Sequence, residues 1–355
     1  MKGKQGLVCM GLLLVLSSCH TGKQITASGL QRKDFQTEVN GQHTDLFTLS
    51  NKQGMEVCIT NYGARVVSIL VPDRNGKRED VVCGFSTITE YMEQRQNFGS
   101  TVGRYIGRIL NARFTLDGVE YKLVPNNGKS GHISHGGNPG FADRIWKVEQ
   151  ADTHRVRLSY LSPDGENGFP GNLKVTLVYS LGEDDNALDL TYEATTDAPT
   201  VLNLSHHSFF NISGNFTKSV EDQQLWVDAD RFTPYDDKKC VTGEYLPVAG
   251  TPLDFRMPHT IGECIDADHP QLKVVNGYDH TWELNTKGDD TRPAAWVYDP
   301  TSGRKMEIFT TEPGIQIYTG NGLKGKMTGK RGIAYPFRSA VCFETMHFQD
   351  SPPQP

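Results

Sequence analysis

Hydrophobic and polar residues alternate with a period of two over many short stretches of the chain, a pattern typical of β-strands that bury one face. The longest alternating run covers 173–181, and a second run at 188–194 follows it after a polar turn at 182–186. These two runs and the turn between them predict a β-hairpin. Shorter runs at 156–160 and 227–229 predict further strands.

Long helical periodicity is absent from the sequence. Only the stretch 86–94 has the composition of a short helix, which Ser86 or Thr87 would cap. Turn-forming residues recur, for example at 73–76 and 117–118, and the chain contains 36 glycines and 18 prolines. The pattern therefore predicts an all-β, antiparallel fold of many short strands, and it does not distinguish a sandwich from a barrel.

The first twenty residues have the features of an export signal. Lys2 and Lys4 precede an apolar stretch at 7–16, which is too short to cross a hydrocarbon layer of about 30 Å. The sequence at 16–19, Leu-Ser-Ser-Cys, resembles the bacterial lipobox. We therefore predict a signal peptide at 1–18 and lipidation of Cys19, with ordinary secretion and an incidental cysteine as the alternative.

The rest of the chain then divides into a tether and one domain. We predict that residues 19–40 form a polar tether behind the lipidated cysteine and that residues 41–355 form the domain. This places the protein at the cell envelope as a membrane-anchored lipoprotein facing the periplasm or the exterior. The membrane contact is through the lipid alone.

Charge and cysteine content exclude several kinds of partner. The formal net charge is −6 and the chain has no run of Lys or Arg, so we expect no nucleic-acid binding. Five of the seven cysteines lie beyond residue 19, an odd number with irregular spacing. This pattern predicts mostly buried thiols, with neither a disulfide framework nor a zinc knuckle.

Two glycine-rich segments carry polar groups suited to binding a ligand. Arg104 and Arg108 lie four residues apart in a turn-like stretch, where an Arg fork can bind paired oxygens and where two solvated side chains are the alternative. His135 precedes two glycines in a loop, and His132 lies three residues earlier. No clustered carboxylate or H-E-x-x-H pattern accompanies these histidines, so we predict no metal and no cofactor.

Two predicted strands carry groups suited to acid–base chemistry. His207 ends a polar line beside aromatic residues, where an imidazole can donate a proton near neutral pH. Glu344 shares the face of a C-terminal strand with apolar residues, so burial should raise its pKa toward the range of a general base. The alternatives are a hydrogen-bonded surface histidine and a salt bridge from Glu344 to a distant Arg.

Taken together, these segments resemble the aldose 1-epimerase family from about Phe47 to Asp350, in the family's order. Each block is a weak signal alone, whereas the ordered set is specific. The matching blocks lie at 61–73, 102–118, 135–146, 165–171, 207–212, 277–280, 313–321 and 343–345.

The resemblance implies a large antiparallel β-sandwich and an isomerase that interconverts the α and β anomers of free aldohexoses. It places Glu344 at the general base and His207 at the general acid. His135 falls on the second active-site histidine, and Arg108, Asp279 and Gln316 fall on sugar-binding positions. The implied partner is an aldose such as glucose or galactose. The sequence leaves the oligomeric state open, and a monomer is our working expectation.

The chain departs from the family pattern at several positions. Gly107 stands where the family usually has Asn, which predicts a missing or water-replaced hydrogen bond to the sugar. Phe209 replaces a Tyr, and His206 replaces an Asn. Family members usually continue into another strand beyond the point where this chain stops, so we expect a short C-terminus with an unpaired sheet edge.

Two other functions remain possible from the sequence. One is a non-catalytic sugar-binding lipoprotein on the same fold, which the change at Gly107 leaves open. The other is a glycoside hydrolase, which needs two carboxylates beside the scissile bond. Asp279 and Glu344 would have to supply them, and His207 would then have no role.

Overall fold

The computed structural model of the protein describes residues 24–352. The predicted signal peptide and the lipidated Cys19 lie outside the described residues. No helix of the described part is long and apolar enough to span a membrane.

Antiparallel strands dominate the described chain and pair into two large sandwiches. The first joins two four-stranded sheets, made of Leu46–Ser50, Glu56–Thr60, Arg65–Pro72 and Arg78–Asp80 and of Lys147–Ala151, Arg155–Ser162, Leu173–Leu181 and Leu188–Thr196. The second joins a six-stranded sheet to a four-stranded one. The six strands, in spatial order, are Phe209–Phe210, Val341–Met346, Gly314–Tyr318, Asp279–Leu284, Ala229–Thr233 and Leu246–Pro247. The four are His259–Thr260, Gln224–Val227, Ala295–Tyr298 and Lys305–Ile308.

Four two-stranded ribbons and short helices complete the described chain. The ribbons pair Glu38–Val39 with Gln42–His43, Ser100–Val102 with Ser205–His207, Arg108–Ile109 with Ile133–Ser134, and Arg113–Leu116 with Val119–Lys122. The α-helices are Ile88–Gln94 and Pro270–Val275, and the 3-10 helices are Arg32–Phe35, Leu110–Ala112, Gly128–Ser130, Phe141–Asp143, Glu166–Gly168, Ile261–Glu263 and Lys330–Gly332.

Each sandwich buries the apolar faces of its two sheets. In the first, Val57 and Ile59 pack in one core with Leu158 and Leu177 of the facing sheet. In the second, the core includes Trp282, Ile317 and Phe343 of the six-stranded sheet and Leu225 and Val297 of its partner. The antiparallel all-β prediction and the sandwich implied by the family resemblance are therefore confirmed.

Local predictions from the sequence hold where the pattern is long or capped. The hairpin forms in full register from Leu173 opposite Thr196 to Leu181 opposite Leu188. Thr87 caps the predicted helix through a capping box with Glu90. The sequence pattern did not predict the helix Pro270–Val275, because six residues are too few to show helical periodicity.

The described part of the predicted tether lies against the domain rather than extending from it. Phe35 is fully buried, and Leu30 joins the same core. The backbone N–H groups of Ala27 and Ser28 donate to the Glu56 carboxylate at 3.0 and 3.1 Å. Residues 24–40 are thus packed, whereas the placement of a tether at 19–40 and of the domain boundary at 41 stays a prediction.

The expected unpaired sheet edge does not occur at the last strand. Val341–Met346 lies inside the six-stranded sheet, between Gly314–Tyr318 and Phe209–Phe210. The short strand Phe209–Phe210, rather than the C-terminal one, ends the sheet on that side. The prediction was drawn from the further strand that family members have, whereas the fold pairs the last strand on both sides with strands from earlier in the chain.

Of the five cysteines beyond residue 19, three are buried and two are half-buried, and all five are free thiols. The prediction of mostly buried thiols is confirmed. Cys58, Cys83 and Cys342 are the buried ones.

Candidate active site

One face of the six-stranded sheet turns its polar side chains toward a cleft. Gln316 pairs in register with Glu344 on one side and with Thr281 on the other, so the three side chains share that face. Ile315 and Ile317, on either side of Gln316 in the strand, point into the apolar core on the opposite face of the sheet. Because side chains alternate between the two faces of a strand, the polar residues face the cleft and the apolar residues face the core.

Glu344 and His207 meet at this face. The Nε2 atom of His207 lies 3.4 Å from Oε1 of Glu344, and their side chains are only 8% and 5% exposed. The alternative of a salt bridge from Glu344 to an Arg does not occur among the described residues. Desolvation raises the pKa of Glu344 well above its ordinary value, and the charge of Asp279 adds to this effect.

The same burial lowers the pKa of His207 well below 6.5, with a further contribution from His135. In water the imidazole binds a proton more tightly than the carboxyl group does, by about two pKa units. Burial works against this order at Glu344 and His207 because it disfavours the charged form of each. Burial therefore shifts the shared proton toward Glu344 and away from His207.

His135 lies beside this pair. Its ring centroid is 5.5 Å from that of His207, edge to face, and desolvation lowers its pKa to about 4. The loop that carries it packs tightly, since a Cβ atom at Gly136 would lie 2.0 Å from the carbonyl oxygen of Gly103. The Phe209 ring stacks on that of His207, with 5.1 Å between the ring centroids. These contacts fix the orientation of the His207 imidazole.

Arg108, Asp279 and Gln316 line the same cleft. Gln316 Nε2 donates to the Asp279 carboxylate at 2.7 Å. Desolvation raises the pKa of Asp279, while Arg108 and Gln316 oppose the shift. The Arg108 guanidinium lies 5.9 Å from the centre of the Tyr235 ring. This group offers charged and neutral hydrogen-bonding partners for several hydroxyl groups at once.

The cleft has a volume of about 270 Å³. This lies just below the range of roughly 300–1,000 Å³ for small-molecule sites, and so suits a small ligand such as a monosaccharide. All six non-lipid site residues named from the sequence line it. Several further lining residues stand in no sequence pattern that distinguishes them from other loop or strand residues, so they were not predicted. They are Gln96, Asn97, Ser134, Tyr235, Met346 and Gln349.

Other polar residues singled out from the sequence lie away from the cleft. Arg104 is 1% exposed and donates to the carbonyl oxygens of residues 162–171, including Pro170 at 2.6 Å. His132 contacts Cys240 Sγ at 3.3 Å through Nε2. His206 bonds through Nε2 to Ser208 at 2.7 Å. All three are engaged in holding loops or strands.

One group of side chains has the spacing of a metal site. The potential ligand atoms of His207, Cys342 and Glu344 lie within 4.8 Å of one another, and all three residues are buried. Such a nitrogen, sulfur and oxygen set suits a divalent cation such as Zn²⁺. The absence of a metal from the chemistry therefore stays a prediction.

Comparison with known proteins identifies the relatives of this chain. The sequence model of the aldose 1-epimerase family matches residues 45–355. The galactose mutarotase of Sus scrofa is 39% identical over 309 residues, which cover 87% of each chain. The aldose 1-epimerase of Escherichia coli K12 is 36% identical over 317 residues, covering 89% of this chain and 90% of that one.

Solved structures agree with the sequence relatives. An aldose epimerase homologue from C. elegans superposes with a TM-score of 0.79 at 30% identity, covering 87% of this chain and 91% of that one. The galactose 1-epimerase of Lactobacillus acidophilus NCFM gives a TM-score of 0.77 at 29% identity, with 88% and 89% covered. The chain therefore belongs to the aldose 1-epimerase family, enzymes that interconvert the α and β anomers of aldoses.

Proposed function

We propose that Glu344 is the general base and His207 the general acid of this anomer interconversion, acting on free aldohexoses such as glucose and galactose. The observation that carries the proposal is the buried contact of 3.4 Å between their polar atoms at the cleft. Both oxygens that exchange protons in the reaction are bonded to the same sugar carbon, C1. An acid and a base that serve them must therefore lie close together.

In the ring-opening step, the Glu344 carboxylate removes the proton of the C1 hydroxyl. The C1–O1 bond becomes a carbonyl, the C1–O5 bond breaks, and the protonated His207 gives its proton to O5. Rotation about C1–C2 then presents the other face of the aldehyde. Closure runs the same transfers in reverse, with O5 losing its proton to His207 and O1 regaining one from Glu344. The pair holds one proton before and after the cycle.

The surroundings of the pair support the ring-opening transfer. Burial raises the pKa of Glu344 and lowers that of His207, which favours the gain of a proton by Glu344 and its loss by His207. Arg108 and His135 lie at the cleft as donors to oxygens of the sugar, and Asp279 and Gln316 as partners of its hydroxyl groups. Every proton transfer is accounted for by groups of this chain, and we infer that no cofactor takes part.

Polarimetry of freshly dissolved α-D-glucose and α-D-galactose tests the assignment. The protein should accelerate the decay of optical rotation, and Glu344→Gln should slow the catalysed rate by roughly 10²- to 10⁴-fold. Glu120→Gln, an exposed residue on a ribbon far along the chain from both groups, is the matched control and should match the parent. A folded Glu344→Gln protein with the parent's rate would refute the role of Glu344.

We also propose that the enzyme is a lipoprotein of the cell envelope, anchored through Cys19 and facing the periplasm or the exterior. The support is the lysine-flanked apolar stretch that ends in Leu-Ser-Ser-Cys. In a bacterial host given an alkyne fatty acid, the parent should carry the label and Cys19→Ala should lose it. Cys240→Ala, which removes a half-buried thiol, should keep it. Equal labelling of all three proteins would contradict the anchor.

A further inference from the structure

A glutamine side chain occupies the space beside Gly107 in the cleft. Gly107 has a φ of +76°, and a Cβ atom placed there would lie 2.6 Å from Gln349 Cγ and 3.2 Å from Met346 Cε. Both distances are shorter than ordinary van der Waals contact. Gln349 can therefore occupy this position in the cleft only because residue 107 has no side chain.

The hydrogen bonds around Gln349 settle which way its amide points. A carboxylate only accepts, so the bond from Gln316 Nε2 to Asp279 fixes the orientation of the Gln316 amide. Gln316 Oε1 must then accept, and Gln349 Nε2 donates to it at 3.2 Å. The same Nε2 also donates to the Tyr235 hydroxyl at 2.9 Å.

The amide oxygen of Gln349 remains available for a ligand. It accepts no hydrogen bond from any residue in the described range 24–352, and it is not among the unpartnered atoms sealed from solvent. The residue as a whole is only 8% exposed. A carbonyl oxygen held at the edge of a polar cleft in this way is an acceptor for a hydroxyl group.

The backbone that carries Gln349 is fixed on both sides. The N–H of Asp350 donates to the carbonyl oxygen of Arg108 at 2.8 Å, and Asp350 Oδ1 accepts from the N–H of Leu110 at 2.8 Å. The Tyr105 hydroxyl donates to the carbonyl oxygen of Phe348 at 2.8 Å. The side chain is thus presented to the cleft in one position, which reduces the entropy lost on binding.

We propose that Gln349 is a sugar-binding and specificity-determining residue, whose amide oxygen accepts a hydrogen bond from one ring hydroxyl of the aldose. Its amide serves in place of the Asn that the family usually has at position 107. The proposal rests on the proposed function and adds to it a site residue outside the family blocks. It also revises the expectation that the change at Gly107 leaves a hydrogen bond missing.

Moving the amide back to position 107 is the first test. Gln349→Ala should lower kcat/KM by roughly 3- to 10-fold, the range expected for one neutral hydrogen bond. Gly107→Asn should also be impaired, since its Cβ meets Gln349, although Asn tolerates a positive φ. The double variant Gly107→Asn/Gln349→Ala should regain most of the loss. If the loss in kcat/KM of the double variant equals the product of the two single losses, the Gln349 amide does not replace that of an Asn at position 107.

A panel of monodeoxy sugars is the second test and does not depend on the double variant folding. The parent should lose roughly 3- to 10-fold in kcat/KM on one particular monodeoxy-D-glucose. Gln349→Met, of similar size and without the amide, should have a lower kcat/KM on D-glucose and should show no further loss on that deoxy sugar. Gln53→Met, at an exposed position, is the matched control and should behave as the parent.

The outcomes separate this proposal from the one on which it rests. Equal losses of Gln349→Met on every sugar, with a lower Tm, would make the residue structural and overturn its contact with the sugar. A parent without mutarotase activity, or an active Glu344→Gln variant, would refute the proposed function itself. An active parent, an inactive Glu344→Gln and an unaffected Gln349→Met would refute only the role of Gln349.

Discussion

Arg104 and Arg108 lie four residues apart on one glycine-rich segment, yet Arg104 is sealed inside the protein and Arg108 faces the cleft. Arg104 donates to Ser162 Oγ at 2.6 Å and to Thr200 Oγ1 at 3.1 Å, in addition to backbone carbonyl groups. It therefore holds together loops that are far apart in sequence. Arg108 keeps its guanidinium near Tyr235 and Asp279.

We expect the two arginines to respond differently to the same substitution. Arg104→Met should lower the free energy of unfolding by at least about 3 kcal/mol, because several buried acceptors lose their donor. Arg108→Met should change stability little and raise KM by roughly 10- to 100-fold, the worth of a charged hydrogen bond. Urea denaturation and polarimetry measure the two effects. Similar changes in both proteins by both measures would contradict this division of roles.

The pH dependence of kcat/KM should be unusually broad. In the proposed cycle the pair of Glu344 and His207 works with one proton, and ordinary pKa values of 4.5 and 6.5 would confine that state to the interval between them. Because the pKa of His207 is lowered, the pair binds a second proton only at a lower pH. Because the pKa of Glu344 is raised, the pair loses its remaining proton only at a higher pH. We expect a plateau that extends beyond both limits, measured by polarimetry after subtraction of the spontaneous rate.

Asp279→Asn should move the alkaline limb of that profile to lower pH. The Asp279 charge contributes to the raised pKa of Glu344, and removing it lowers that pKa. Asp117→Asn is the matched control, since Asp117 is exposed in a turn between ribbon strands. A limb that stays in place, or moves upward, would show that Asp279 does not act on Glu344.

Loss of a lysine charge should lower the free energy of unfolding far more in a buried ion pair than in an exposed one. Lys330 Nζ lies 2.5 Å from Asp80 Oδ2, with side chains 7% and 6% exposed, whereas Lys305 pairs with Glu307 at the surface. Lys330→Met should cost about 3–5 kcal/mol because it leaves a buried carboxylate unpaired. Lys305→Met should cost at most about 1 kcal/mol.

Urea denaturation measures both lysine variants. Adding Asp80→Asn to Lys330→Met should recover part of the loss, since the uncompensated charge is then removed. Equal denaturation midpoints for Lys330→Met and Lys305→Met would contradict the prediction.

Removal of metal ions should leave the rate unchanged, because Glu344 and His207 supply both proton transfers in the proposed cycle. We expect protein dialysed against EDTA to keep its kcat, measured by polarimetry. Cys342→Ser should retain activity as well, since the thiol has no role in the proposed cycle. Loss of activity on dialysis, with recovery on adding Zn²⁺, would instead make His207, Cys342 and Glu344 a metal site.

The separation of structural from chemical residues required the three-dimensional arrangement. Residue type and spacing alone do not separate His132 from His135, whereas the fold directs His135 into the cleft and places His132 against Cys240. Gln349 follows the last strand without any pattern, and it reaches Gln316 because residues 347–351 fold back over the segment at 105–110. Such placement depends on contacts between distant parts of the chain.

The sequence by itself determined the all-β class, the long hairpin, the family and the six residues expected at the sugar site. It could do so because strand periodicity is local and because the family's blocks keep their order along the chain. Only the tertiary structure decided which strands neighbour one another, how near Glu344 lies to His207, and that Gln349 fills the space at Gly107. Sheet order and burial arise from long-range packing, which no local pattern encodes.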